Sequence, residues 1–118
     1  MPVYPKADRN PEKDQDVAGG KGVMYRDKLL LGDRLGGTTT TVSRIVLEPG
    51  TSLGYHQHVG DNEMYYIFEG NALYTENDIE YNLVPGDMAF CEEGSFHGIV
   101  NSGDEIMSFM AVIQKPAE

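Results

Sequence analysis

Apolar residues recur along this chain in short runs broken by turn residues, and no stretch of about ten residues carries a helical period. Strand-like runs occupy residues 23–25, 28–31, 38–47, 54–58, 63–69, 72–76, 79–83, 88–91, 97–100 and 105–113. Between them stand Gly36-Gly37, Pro49-Gly50, Asn77-Asp78, Pro85-Gly86, Glu93-Gly94 and Ser102-Gly103. Glycine and asparagine accept a positive φ and proline pre-sets its own, so each pair marks a sharp reversal. Short strands at near-regular spacing predict an all-β sandwich or barrel, with Asn77-Asp78 closing a tight hairpin. Residues 1–22 read differently: three Pro, three Gly and a dense mix of charges cannot build a core. They are expected to form an irregular N-terminal arm, leaving residues 23–118 as a single β-barrel domain.

The last run adds an expectation about assembly. In residues 106–113 (IMSFMAVI) both alternating sets are mostly apolar. A strand with one wet face alternates apolar and polar side chains, so a second sheet or a partner subunit must cover the other side. A homodimer is expected. Composition narrows the rest. A chain of 118 residues with 40% hydrophobic content is one globular domain, and no run approaches the about 20 apolar residues of a membrane span. Nine Lys and Arg against 19 Asp and Glu leave a net charge of −10, which repels phosphate backbones and anionic lipid, so neither nucleic acid nor membrane is an expected partner. A lone cysteine, Cys91, forms no intrachain disulfide and fits a reducing cytosol. The opening MPVYPKADRNPEKDQD lacks the apolar stretch of a signal peptide, and a cytoplasmic location is expected.

Candidate chemistry lies in the three histidines, His56, His58 and His97. His56 and His58 are two apart and project to one face of a strand. Glu63 heads the next run after a short loop, and His97 opens a later one. Three neutral imidazoles and a carboxylate are four ligands for one divalent transition metal, Mn, Fe, Ni, Co or Zn. Parity supplies candidate neighbours. Tyr65 shares the face of Glu63 and either hydrogen-bonds a ligand or fills the barrel. On the long early run Val42, Arg44 and Val46 form one set and Ser43, Ile45 and Leu47 the other. Arg44 facing inward is a carboxylate anchor through its bidentate fork; facing outward it is a surface residue in a salt bridge. Phe90, Met88 and Met110, if inward, form the wall of a ligand pocket, whereas Cys91 is read as a small buried hydrophobe.

Gly50, His56, His58, Glu63 and Gly70 match every fixed position of the first cupin motif in both residue and spacing. Gly86, Gly94, His97 and Asn101 match the second, with Glu92 where that family usually has proline. The chain thus resembles a small single-domain cupin, and among these the short oxalate-decarboxylase-like proteins. The resemblance implies a cupin-type double-stranded β-helix (a jelly-roll barrel) with a metal inside, held by His56, His58, Glu63 and His97. It implies in turn a metal-dependent enzyme acting on a small carboxylate- or enolate-bearing metabolite, of decarboxylase, dioxygenase or isomerase type. The alternative is a non-catalytic small-molecule binding or sensing module that uses the same pocket.

Overall fold

The computed structural model describes residues 3–116. Ten strands run β1 (Glu12–Gln15), β2 (Val23–Leu31), β3 (Thr39–Leu47), β4 (Ser52–Gln57), β5 (Asn62–Glu69), β6 (Ala72–Glu76), β7 (Ile79–Leu83), β8 (Met88–Cys91), β9 (Phe96–Asn101) and β10 (Met107–Gln114). They form two antiparallel sheets, one ordered β1-β2-β3-β10-β5-β8 and the other β4-β9-β6-β7. This is the jelly roll, and its core lies between the sheets. Met24, Leu47, Ile67, Met107 and Phe109 of the larger sheet meet Leu53, Ala72, Tyr74 and Ile99 of the smaller one, all of them buried. The period-two alternation builds this layer: Ser43, Ile45 and Leu47 are buried on β3 while Arg44 and Val46 are not.

A turn and a bulge set the register. Asn77 and Asp78 have φ of 48° and 68°, the doubly left-handed turn that matches the twist of a two-residue hairpin, and β6 pairs with β7 across it. On β4, Leu53 pairs with Ile99 but His56 pairs with His97, so Gly54 and Tyr55 together oppose the single residue Gly98. This β-bulge shifts the alternation by one, and Leu53 and His56, three apart, both face inward. Gly54 must lack a side chain there, because a Cβ would lie 2.0 Å from the Ala18 carbonyl oxygen.

The structure departs from the expected N-terminal arm. Residues 26 and 27, which break the apolar pattern, continue β2 rather than interrupt it. Glu12–Gln15 pairs with β2 as an edge strand, and short 3-10 turns occupy Lys6–Asp8 and Val17–Gly19, with Val17 packed against the core. β1 (EKDQ) is mostly exposed and entirely polar, so backbone pairing and not apolar burial holds it.

The two-sided apolar strand β10 has one face in the core, through Met107, Phe109 and Ala111. Its other face lies on the outside of the sheet. There the pairing lines up Arg44, Met110, Tyr66 and Met88 in one row, and Val42, Val112, Met64 and Phe90 in the next.

Candidate metal centre

β4 carries His56, the residue just past its end is His58, Glu63 is the second residue of β5, and β9 carries His97. The pairing of His56 with His97 brings two of these side by side. His58 is fixed although it lies outside the strand: its N–H donates to the Ser95 carbonyl at 3.0 Å, and its own carbonyl accepts from the Gly94 N–H at 2.7 Å. The four ligand atoms all lie within 4.8 Å of one another. His58 and Glu63 are each 6% exposed and His97 is 0%.

Spacing among the inward atoms is the informative quantity. His58 Nε2 lies 3.0 Å from His97 Nε2, and each lies 3.1 Å from Glu63 Oε1. Ligands about 2.1 Å from one ion and at right angles to each other are about 3.0 Å apart, whereas tetrahedral ligands are about 3.4 Å apart. The triangle is therefore small enough for its three donors to share one ion.

Ring orientation follows from the other imidazole nitrogen. His56 Nδ1 donates to the Gly54 carbonyl at 2.6 Å, so the bulge that turns this residue inward also aims its ring. His58 Nδ1 donates to Asp61 Oδ1 at 2.7 Å. His97 Nδ1 donates to the Tyr74 hydroxyl oxygen at 3.1 Å, because that hydroxyl gives its own proton to Glu76 at 2.5 Å. An imidazole that donates from Nδ1 turns the Nε2 lone pair inward, the tautomer a metal ligand needs. Three inward nitrogens and a carboxylate gathered this closely are a donor set that fits a divalent ion.

Electrostatics agree. Burial pushes the Glu63 carboxyl up, but hydrogen bonds from His58 and His97 outweigh it and hold the group down at about 2. Hydrogen bonding to Glu63 raises His58 to about 8, against the opposing effect of burial and with help from Asp61. Burial lowers His56, only partly offset by its bond to Gly54.

The remaining candidates divide. Tyr65 is buried, stacked on His97 with ring centroids 4.9 Å apart and on Phe109 at 4.6 Å. Its hydroxyl has no hydrogen-bond partner, and burial followed by the Glu63 charge pushes its pKa well up. It fills the barrel as a pillar behind His97. Arg44, Phe90 and Met110 are not brought to the centre, because the inward set on each strand is the opposite one. Arg44 faces out, bonded to Glu69 at 3.3 Å. Phe90 is 44% exposed beside buried Cys91, and Met110 pairs with Arg44 and Tyr66 on the outer face. Met88 is likewise exposed. Cys91 is buried and its thiol is pushed up to about 12 by burial, so it stays an inert hydrophobe.

A cavity of about 300 Å³ opens onto the centre, lined by His56, His58 and Glu63 together with Arg26, Lys28, Thr41, Ser43, Ala111 and Ile113 among others. Arg26 and Lys28 were missed in the sequence, since residues 26 and 27 read as a gap between two strands. Had β2 been recognised as continuous, the alternation of Met24, Arg26 and Lys28 would have placed them with the buried face of β3. Asp61, Tyr74 and Glu76, the partners of the ring nitrogens, carry no signal in the sequence.

The family model described as a cupin domain matches residues 43–113. A protein of Thermotoga maritima named oxalate-binding protein is 32% identical over 111 residues, which make up 94% of this chain and 92% of that one. A crystal structure from the same organism, of a predicted oxalate decarboxylase, superposes with a TM-score of 0.93 at 32% identity, over 97% of this chain and 99% of that one. A sugar phosphate isomerase of the cupin superfamily from Silicibacter pomeroyi is similar at 31% identity and a TM-score of 0.65, over 77% of this chain and 60% of that one. With both motifs on adjoining strands, their histidines and glutamate gathered in one place and the family model spanning most of the barrel, the chain belongs to the cupin family.

Proposed function

We propose that this protein is a metal-dependent enzyme in which His56, His58, Glu63 and His97 hold one divalent transition metal and the cavity above them takes a small carboxylate- or enolate-bearing metabolite. The observation that carries this reading is the close triangle of His58, His97 and Glu63, with all three imidazoles held at Nδ1. A divalent ion held by these residues would supply a Lewis acid beside the cavity. The chain's own residues hold each imidazole at Nδ1 so that Nε2 faces the site, keep Glu63 ionised, and wall the site with Ile113 and Ala111. The Thermotoga relatives, one named for oxalate binding and one for oxalate decarboxylation, favour a carboxylate ligand.

A second reading is a binding module that does not turn its ligand over, and the name of the oxalate-binding relative favours it. Elemental analysis of protein purified without added metal, followed by a panel of small organic acids, separates the two. Turnover that His58→Ala abolishes supports the enzyme; thermal shifts across the panel without turnover support the module. Protein that takes up no metal removes both.

We also place the protein as a homodimer, joined through the outer face of the larger sheet. Tyr66, Phe68, Met88 and Phe90 are all more than 40% exposed there, an apolar patch of the kind that marks contact between subunits. Light scattering at micromolar concentration tests it, and a monomer refutes it. The single buried thiol is the ground for a cytoplasmic location.

A further inference from the structure

Two cations line the cavity without belonging to the ligand set, Arg26 and Lys28 of β2. Register explains their direction. Arg26 pairs with Ile45 and Lys28 with Ser43, both on the buried face of β3, while Tyr25 and Asp27 pair with Val46 and Arg44 on the outer face. Each cation is held loosely. Arg26 Nε lies 3.8 Å from Asp14, beyond hydrogen-bond length, and Lys28 Nζ lies 3.3 Å from Glu12, a half-exposed acid. Both acids come from the edge strand β1, so neither cation is locked by a buried partner. The chain has nine basic residues against 19 acidic ones, and two of the nine flank this one cavity. Another cavity holds Lys6, Arg9 and Arg44, but Arg26 and Lys28 are the cations that share a cavity with His56, His58 and Glu63.

We propose that Arg26 and Lys28 anchor the far carboxylate of a dicarboxylate longer than oxalate, whose near carboxylate sits at the His56, His58, Glu63 and His97 centre. This rests on the metal-and-carboxylate reading above and adds a length to it. β2 lies three strands from β5 in the sheet, about 14 Å along its surface, so the two cations enter from a wall well separated from Glu63. Oxalate joins its carboxylates by a single bond, and both crowd one centre. A longer diacid places its second carboxylate across the cavity, where the Arg26 fork meets it with two parallel hydrogen bonds and Lys28 adds a point charge. The cavity, about 300 Å³, has room for such a molecule, whereas oxalate leaves most of it unfilled.

The test is calorimetric titration of the Mn²⁺-loaded protein with oxalate, malonate, succinate and glutarate. At least one of the longer acids is expected to bind more tightly than oxalate. Arg26→Gln is expected to weaken that acid about tenfold or more and to leave oxalate within about twofold, since a hydrogen bond to a charged group is lost only by the former. Arg26→Lys, which keeps the charge without the fork, falls between, and Lys28→Gln weakens the longer acid in the same direction. Both residues are partly exposed, so these variants keep the core intact. Longer acids that bind no better than oxalate overturn the inference, as does a variant that weakens every acid equally or none. Oxalate bound normally beside such a result leaves the metal-and-carboxylate reading standing; Mn²⁺ bound with no acid of any length overturns both.

Discussion

A proton and a metal ion compete for the same nitrogen of His58, and the competition has a calculable size. Hydrogen bonding to Glu63 raises this imidazole to about 8, so in the metal-free protein about nine-tenths of the molecules carry the extra proton at about pH 7. A divalent ion must displace it. Binding at that pH is expected to release close to one proton from His58, and apparent affinity to fall about tenfold for each pH unit below about 8, levelling off above it. Titration calorimetry of chelator-treated protein, run in two buffers of different ionisation enthalpy, counts the proton and follows the slope. Asp61→Asn removes a negative charge that helps raise His58, so the break in the profile moves to lower pH. The same proton stabilises the metal-free fold. Because the folded value lies above the ordinary 6.5, the contribution is complete below about 6.5 and is lost as pH rises through about 8, a change of about 2 kcal/mol. Glu63, held at about 2 against an ordinary 4.5, is the other end of that interaction: its share is complete above about 4.5 and is lost as pH falls through about 2. The metal-free protein is therefore best served by this pair between about pH 4.5 and 6.5. Metal affinity that stays level from about pH 6 to 8, or binding at about pH 7 without proton release, refutes the reasoning.

Tyr74→Phe removes the acceptor of the His97 Nδ1 proton, and metal affinity measured by chelator competition is expected to drop about 10- to 100-fold with the fold retained. Phe109→Ala empties a fully buried ring position against Tyr65 and is expected to cost about 3–5 kcal/mol in denaturant unfolding. Met110→Glu places a charge in the middle of the outer apolar row, and light scattering is expected to report a shift from dimer toward monomer.

Much of the fold was legible because alternation and turn chemistry act locally. The two alternating sets of β3, the hairpin at Asn77-Asp78 and the shared face of Glu63 and Tyr65 follow from a period of two and from φ preferences alone. His56, His58, Glu63 and His97 were legible for a further reason, that a metal site needs particular residue types at particular spacings. Three things escaped. β1 has no apolar pattern, since it is stabilised by backbone bonds to β2. Arg26 lay hidden because charged residues 26 and 27 look like a break in the strand, and with that break the inward parity of Lys28 could not be carried over from Met24. The direction of Arg44, Phe90 and Met110 depended on which of two comparably apolar faces turned inward, and only the packing of the second sheet decides that.

The extra residue in β4 divides the labour of that strand. Below it, Leu53 answers to the packing of the barrel floor through Ile99; above it, His56 answers to the ion site through His97. A uniform strand would require an even spacing between two inward side chains, and the bulge lets an odd one serve. With the slip in place, removing Tyr55 alone would leave Leu53 and His56 two apart, the ordinary spacing of one face, still opposite Ile99 and His97. One amino acid of slack thus separates the barrel floor from the histidine cluster.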